Sequence, residues 1–221
     1  MTLTIRKIGI LSRTYRHINR YRQILTVLIK YGFDDLVDKL RIGQYIEIGL
    51  QRFAPSHARS HEETHTRAQR LRMVLEELGP TFIKLGQVVS TRPDLIPQEF
   101  LTELEKLQHQ VPPFPGEQAR QIIESELRRP LHEVFSKFDE TPLAAASIGQ
   151  AHRATLLDGD EVVVKVQRPG IRNTIEVDLE ILLHLATLLE RHIEDARLMR
   201  PTRIVEEFSR VIGQELDYTT E

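Results

Sequence analysis

The chain has no cysteine among its 221 residues. That excludes a disulfide framework, a thiolate metal site and a cysteine nucleophile, and it fits a reducing compartment. Long apolar runs are missing too. The longest near the start, Ile24 to Ile29, falls far below the roughly 20 residues of a membrane-spanning helix. The N-terminus lacks the apolar core and small-residue cleavage site of a secretory signal. No GxxxxGK[ST] string occurs, which removes a Walker-type phosphate loop. Nucleic-acid recognition motifs are absent, so no nucleic-acid partner is expected.

Acid is missing from one region only. The first 33 residues carry Arg6, Lys7, Arg13, Arg16, Arg20, Arg22 and Lys30 and not one Asp or Glu, although the whole chain has a formal net charge of −2. Such a basic arm suits an anionic membrane surface, or forms a solvated helix face. The remaining composition, 40% hydrophobic and 28% charged, is that of a globular chain long enough for a real core.

Helical periodicity fills the first half. Ile18, Tyr21, Ile24, Leu25 and Leu28 form one apolar stripe over Tyr15 to Lys30, closed by Gly32, and a shorter helix covers Asp34 to Leu40. Gln51 to Thr66 reads as a polar linker. Its His57, His61 and His65, spaced by four, suit a metal or simply an exposed segment. Helices follow over Arg67 to Leu78, Thr81 to Ser90 (after Gly79-Pro80), Pro97 to Gln108 and Glu117 to Leu127.

Near Phe138 the character changes. Gln150 to Leu156 and Glu161 to Gln167 favour strands, and Asp158-Gly159 between them signals a hairpin in which both positions accept positive φ. After Pro169-Gly170, helices return over Thr174 to His192 and from Pro201 to the end.

Lys165 stands in the strand VVVKVQ. Alternation places Val162, Val164 and Val166 on one face, and Val163, Lys165 and Gln167 on the other. An ammonium buried in so apolar a strand would need a counter-anion, such as a phosphate with a carboxylate. The plainer reading is an edge lysine that reaches solvent along its own stem. One hairpin upstream lies Ala144-Ala145-Ala146-Ser147-Ile148-Gly149-Gln150. Its small residues allow backbone amides to approach phosphate oxygens, but alanine lacks the backbone freedom of glycine. A stiffer loop with fewer positive-φ turns is expected.

Three strings, KLGQ (Lys84 to Gln87), AAASIGQAH (Ala144 to His152) and VVVKVQRPG (Val162 to Gly170), extended by ELDYTTE (Glu215 to Glu221), resemble the UbiB-type atypical kinase family, also called AarF. The resemblance covers roughly Leu71 to the last residue. It implies an α+β fold: a helical N-terminal extension plus a protein-kinase-like N-lobe, a small antiparallel sheet with helical inserts. The domains would be a basic helical region and linker over 1–66, the helical extension with the signature motif over 67–136, and a partial N-lobe over 137–221.

The resemblance also assigns roles. Lys84 and Gln87 would be the signature lysine and glutamine, on a helix that folds over the nucleotide site and bars protein substrates. Ala144, Ala145, Ala146, Ser147 and Gly149 would replace the usual glycine loop around ATP or ADP. Lys165 would pair with the phosphates, Glu221 with Lys165, and Glu215 and Asp217 would form the acidic motif. By spacing, Asp217 and Glu221 share a helix face well. Neither an H-R-D-type nor a D-F-G-type motif occurs, so Mg²⁺ is expected only with a C-terminal lobe absent here, and the chain is expected to be a fragment. The implied function is an ATP-binding atypical kinase or ATPase that supports ubiquinone or related isoprenoid-quinone biosynthesis. Its expected location is the cytoplasmic face of a membrane, beside isoprenoid lipid and quinone-biosynthesis proteins. Two other readings stand beside it: a non-catalytic, nucleotide-switched module that binds lipid or a partner, and a helical scaffold with an incidental hairpin.

Overall fold

The computed structural model of the chain describes residues 10–40, 64–94, 96–107 and 112–218. Arg6, Lys7, the linker histidines His57 and His61, Gln108 and Glu221 lie outside the described residues. Two compact units divide the chain: Met1–Leu107 with Ile175–Gln214, which is helical, and Gln108–Thr174 with Glu215–Glu221, which holds the sheet. This division cuts the chain elsewhere than at the expected boundaries of 66 and 136.

In the helical unit, α1 (Ile10–Lys30), α2 (Asp34–Lys39), α3 (Arg67–Leu78), α4 (Pro80–Ser90) and α5 (Gln98–Leu104) come first. Local chemistry sets their ends. The Thr66 hydroxyl accepts from the Gln69 amide while Gln69 Oε1 accepts from the Thr66 amide, a capping box that starts α3. Gly79, at φ 93°, ends it, and Pro80 opens α4 at the position where no amide hydrogen is needed. Pro97 stands just outside α5 rather than opening it.

The sheet unit contributes α6 (Gly116–Leu127), a 3₁₀ turn (Leu131–Glu133) and four strands: β1 (Phe135–Phe138), β2 (Ala144–Ala145), β3 (Gly149–Leu156) and β4 (Glu161–Gln167). β3 pairs antiparallel with β4 on one side, and with β1 and β2 on the other. The β3–β4 turn is not the two-residue form read from Asp158-Gly159. The Gly159 amide donates to the Leu156 carbonyl, the Leu156 amide to the Asp160 carbonyl, and only Gly159 takes positive φ (98°). This is a three-residue loop with its glycine at the left-handed position. β1 was not expected. With four residues, its identity rests on pairing with Leu156, Thr155 and Ala154 rather than on a local pattern.

After the sheet come α7 (Ile171–His192), the unexpected short α8 (Glu194–Met199) and α9 (Pro201–Glu215). From Ile175 onward these helices belong to the helical unit and are not inserts of the sheet unit. The reason is packing. Ile181, Leu185 and Leu188 of α7 join one core with Ile24, Leu25 and Val27 of α1 and Val74, Leu75 and Leu78 of α3. Ile18, read as part of the α1 stripe, is instead exposed. The sheet unit has its own core of Phe114, Ala119, Ile123, Leu131, Phe135, Ala154 and Val166.

One polar pair is set into the helical core. Asp178 occupies the buried phase of α7 and is 0% exposed. Arg20 of α1 meets it bidentately, Nε to Oδ1 at 2.6 Å and Nη2 to Oδ2 at 3.0 Å. The same guanidinium donates to the Leu78 carbonyl at 2.7 Å and lies over the Phe82 ring. Arg20, counted above with the basic arm, therefore serves the core. Truncating one member of such a pair leaves an uncompensated charge. Asp178→Ala is expected to cost about 3–5 kcal/mol in urea unfolding. A loss below ~1 kcal/mol would mean that solvent screens the pair.

Candidate functional site

β4 places Lys165. Val162, Val164 and Val166 turn toward the sheet unit's core, while Val163 is 61% exposed on the opposite face. Lys165 shares that open face and is exposed. The strand's valines therefore do not bury the ammonium, and the desolvation argument for a counter-anion does not apply.

Register ties the alanine segment to the lysine. Ala144 pairs with Ala151, and Ala151 with Lys165, so the three form one cross-strand row. At about 4.8 Å per strand, Ala144 and Lys165 lie roughly 10 Å apart on one face. The turn is closed by the Ala146 amide donating to the Gly149 carbonyl at 2.8 Å. No residue from Ala144 to Gly149 takes positive φ. Ala144 and Ala146 are exposed, whereas Ser147 and Gly149 are buried.

Gly149 is needed for space rather than for φ. A Cβ there would sit 2.6 Å from the Val166 carbonyl oxygen and 2.6 Å from the Tyr218 hydroxyl. Tyr218 belongs to the segment after α9, which is clamped nearby. Gln167 Nε2 and Arg172 Nη2 both donate to the Leu216 carbonyl, at 2.8 and 3.0 Å. Gln167 lies two residues from Lys165 on the same strand, so the clamp ties the Glu215-to-Tyr218 segment to the β4 end that carries the lysine. α9 ends at Glu215. The helical spacing assumed for Asp217 and Glu221 thus lacks a helix at its first member, and Glu221 itself lies outside the described residues.

Sequence reasoning passed over the two polar residues that hold the turn's base. Gln150 is 3% exposed and exchanges two hydrogen bonds with the Phe114 backbone, both at 3.1 Å. His152 is 0% exposed, and its Nδ1 lies 2.8 Å from the Asp139 carbonyl. A carbonyl only accepts, so Nδ1 carries the hydrogen and Nε2 accepts from the Gln150 amide at 2.9 Å. Their period-two alternation with Ala154, on the core-facing side of β3, was the available signal. Arg168 stacks on Phe114 and donates to the Pro112 carbonyl. Burial holds its guanidinium below its usual pKa.

Lys84 and Gln87 stand in the helical unit on α4, both half-buried. Gln87 donates to the Leu107 carbonyl at 3.2 Å. Between them Gly86 is buried, and a Cβ there would overlap Leu107 and Leu75 side chains. The motif's glycine therefore seats α4 closely on its neighbours. Among the described residues, no group of three His, Asp or Glu could hold a metal ion.

Residues 106–221 match the family described as ABC1 atypical kinase-like domain. The chain belongs to this UbiB/AarF family. It is 42% identical over 205 residues to the "Probable protein kinase UbiB" of Pseudomonas fluorescens (strain SBW25), covering 92% of this chain and 38% of that protein. To the protein of the same description from Marinobacter nauticus it is 47% identical over 204 residues, covering 92% and 37%. The chain thus spans a little over a third of these curated relatives. A solved structure described as the complex of Rv3197 with erythromycin, from Mycobacterium tuberculosis, is similar at a TM-score of 0.45 and 32% identity. That match covers 75% of this chain and 42% of the other. Within an ABC1-family chain, the packing around Gly149 makes a direct prediction. Gly149→Ala should lower the melting temperature, by about 1–3 kcal/mol in stability, because the Val166 carbonyl cannot withdraw without breaking the ladder. An unchanged melting temperature would refute this.

Proposed function

We propose that this chain is the nucleotide-binding part of an atypical kinase-like protein, with ATP or ADP held on the open face of the sheet. Lys165 pairs with the phosphates, and the turn of Ala144, Ala145, Ala146, Ser147 and Gly149 lines them. The supporting observation is the row Ala144–Ala151–Lys165, which brings an exposed ammonium and a small-residue turn onto one face. Glu221 is the partner carboxylate in this reading. Glu215 and Asp217 supply negative charge near the clamped segment. Lys84 and Gln87 bias the chemistry toward ATP hydrolysis or a small-molecule acceptor.

Mg²⁺ would neutralise charge on the transferred phosphoryl group. The described residues offer no carboxylate cluster for it, so turnover needs metal-holding groups beyond them. The wider role is support of ubiquinone or related isoprenoid-quinone biosynthesis at the cytoplasmic face of a membrane, with isoprenoid lipid and the pathway's proteins as partners. Among the described residues no helix is long and apolar enough to cross a membrane. Membrane contact is therefore assigned to the basic first residues. Arg20 and Lys30 are engaged by Asp178 and Glu77 and are not counted toward that contact.

ATP or ADP should raise the melting temperature of the 221-residue chain, since a ligand specific for the native state stabilises it by about 2.7 kcal/mol at a hundredfold excess over Kd. Lys165→Met should abolish that rise. No rise in the unsubstituted chain would sink the nucleotide reading. In a full-length protein, ATP hydrolysis that survives Lys165→Met would favour the non-catalytic, switched module. For the basic arm, the pair Arg6→Glu and Lys7→Glu should weaken binding to vesicles containing phosphatidylglycerol by roughly tenfold or more, at about 1 kcal/mol per cation. Equal binding by that variant would remove the arm from the interface.

A further inference from the structure

The segment after α9 is held at two points, one on either side of Asp217. Gln167 Nε2 and Arg172 Nη2 both donate to the Leu216 carbonyl. A carbonyl oxygen has two lone pairs, and here each has its donor. That carbonyl shares one planar peptide with the Asp217 amide, so the clamp sets the direction in which the backbone enters Asp217. Leu216 is buried, and water has little access to replace a lost donor. One residue beyond Asp217, the Tyr218 hydroxyl lies where Gly149 has no side chain, 2.6 Å from the position that a Cβ would take.

The two anchors belong together. Gly149 and Gln167 are direct partners in the β3–β4 ladder. By alternation both present the face of Ala151 and Lys165, which form the next row on that face. Two residues of strand span roughly 7 Å. Arg172, in the first turn of α7, adds the third hold. α9 ends at Glu215, so Asp217 is placed by these contacts and not by the helix before it. Sequence spacing gives no hint of this, because Gln167 and Leu216 stand 49 residues apart.

We propose that Gln167, Arg172 and Gly149 form a cradle that fixes Asp217 on the face of Lys165, and that Gln167 and Arg172 are positioning residues that act on a bound nucleotide through that carboxylate. The ligand half of this inference rests on the nucleotide reading, whereas the cradle does not. A carboxylate held one row from the lysine opposes the phosphates by like-charge repulsion. The strength of that opposition depends on distance, so a segment released into solvent loses most of it to screening. The cradle thus sets how far the phosphate face resists an uncomplexed polyanion.

The test is a thermodynamic cycle on the 221-residue chain, read by calorimetry with ATP in magnesium-free buffer. Asp217→Asn should tighten ATP about threefold or more, because one negative charge leaves the phosphate face. In a chain that already carries Gln167→Leu and Arg172→Leu, the same substitution should change affinity by less than about 1.5-fold. The cycle cancels the direct effect of losing the Arg172 charge. Arg172→Lys, which keeps a donor, should restore the full response to Asp217→Asn. Without nucleotide, backbone order parameters over Leu216 to Tyr218 should fall in the released chain from about 0.85 to below ~0.6, while those of β3 stay unchanged. Unchanged order parameters would overturn the cradle whatever the nucleotide does. An undiminished Asp217→Asn effect in the released chain would overturn the positioning role and leave the nucleotide reading standing. No ATP binding by the unsubstituted chain would overturn both.

Discussion

The helical unit depends on one buried ion pair. Arg20 and Asp178 stand 158 residues apart in sequence, and their contact joins the first long helix to the helix that follows the sheet. Isolated, the Asp178 carboxylate at 0% exposure would be costly enough to forbid the arrangement. With a bidentate guanidinium it becomes a requirement, because the carboxylate is tolerated only where Arg20 can reach it. Arg20 also holds the Leu78 carbonyl and lies over Phe82. It therefore grips both sides of the Gly79-Pro80 break, where α3 becomes α4. The direction of α4, and so the placing of Lys84 and Gln87, follows from a contact with no part in any proposed chemistry.

The sheet unit solves a different problem. Apart from Ile148, its turn consists of small residues that offer little side chain to anchor it, and further anchoring comes from the strand behind it. Gln150 and His152 put polar groups into the core and satisfy them on the backbones of Phe114 and Asp139. Buried polar groups of this kind specify one arrangement, because any shift leaves a donor or acceptor unpaired. The string GQAH thus reads as structure: a glycine for close approach, two buried polar anchors and a small residue in the row that leads to Lys165.

What was legible in the chain was local. The capping box at Thr66, the Gly79-Pro80 break, the periodicity of α3 and α7 and the alternation of β4 are all written within a few residues of where they act. What was illegible was tertiary. β1 has too few residues to show a pattern and exists because β3 lies beside it. The sequence of α7 displays an acid in the buried phase at Asp178, a sign that a partner is needed, but it says nothing of Arg20. Of the two readings of Lys165, tertiary packing favours the edge lysine that reaches solvent. Alternation separates the two faces but does not say which is covered: the face with Val162, Val164 and Val166 meets a core, and Val163 beside the lysine is exposed. The family strings were specific because they combine positions that no local rule would link.

Alanine in place of glycine in the turn acquires a physical meaning from the backbone. A glycine-rich loop gains reach from positive φ and gives up entropy when a ligand orders it. Here every residue from Ala144 to Gly149 stays at negative φ, the strand pairs Ala144↔Ala151 and Ala145↔Gln150 are formed, and the turn is closed by its own hydrogen bond. Little freedom is left for a ligand to remove. Such a turn would bind with a small ordering cost and would adapt poorly to a phosphate chain of different length or pose. Under the nucleotide reading, selectivity is then set by the fixed distance between the turn and Lys165 across β3, not by loop closure. Discrimination between ATP and ADP should respond to changes in that row more than to changes in loop flexibility.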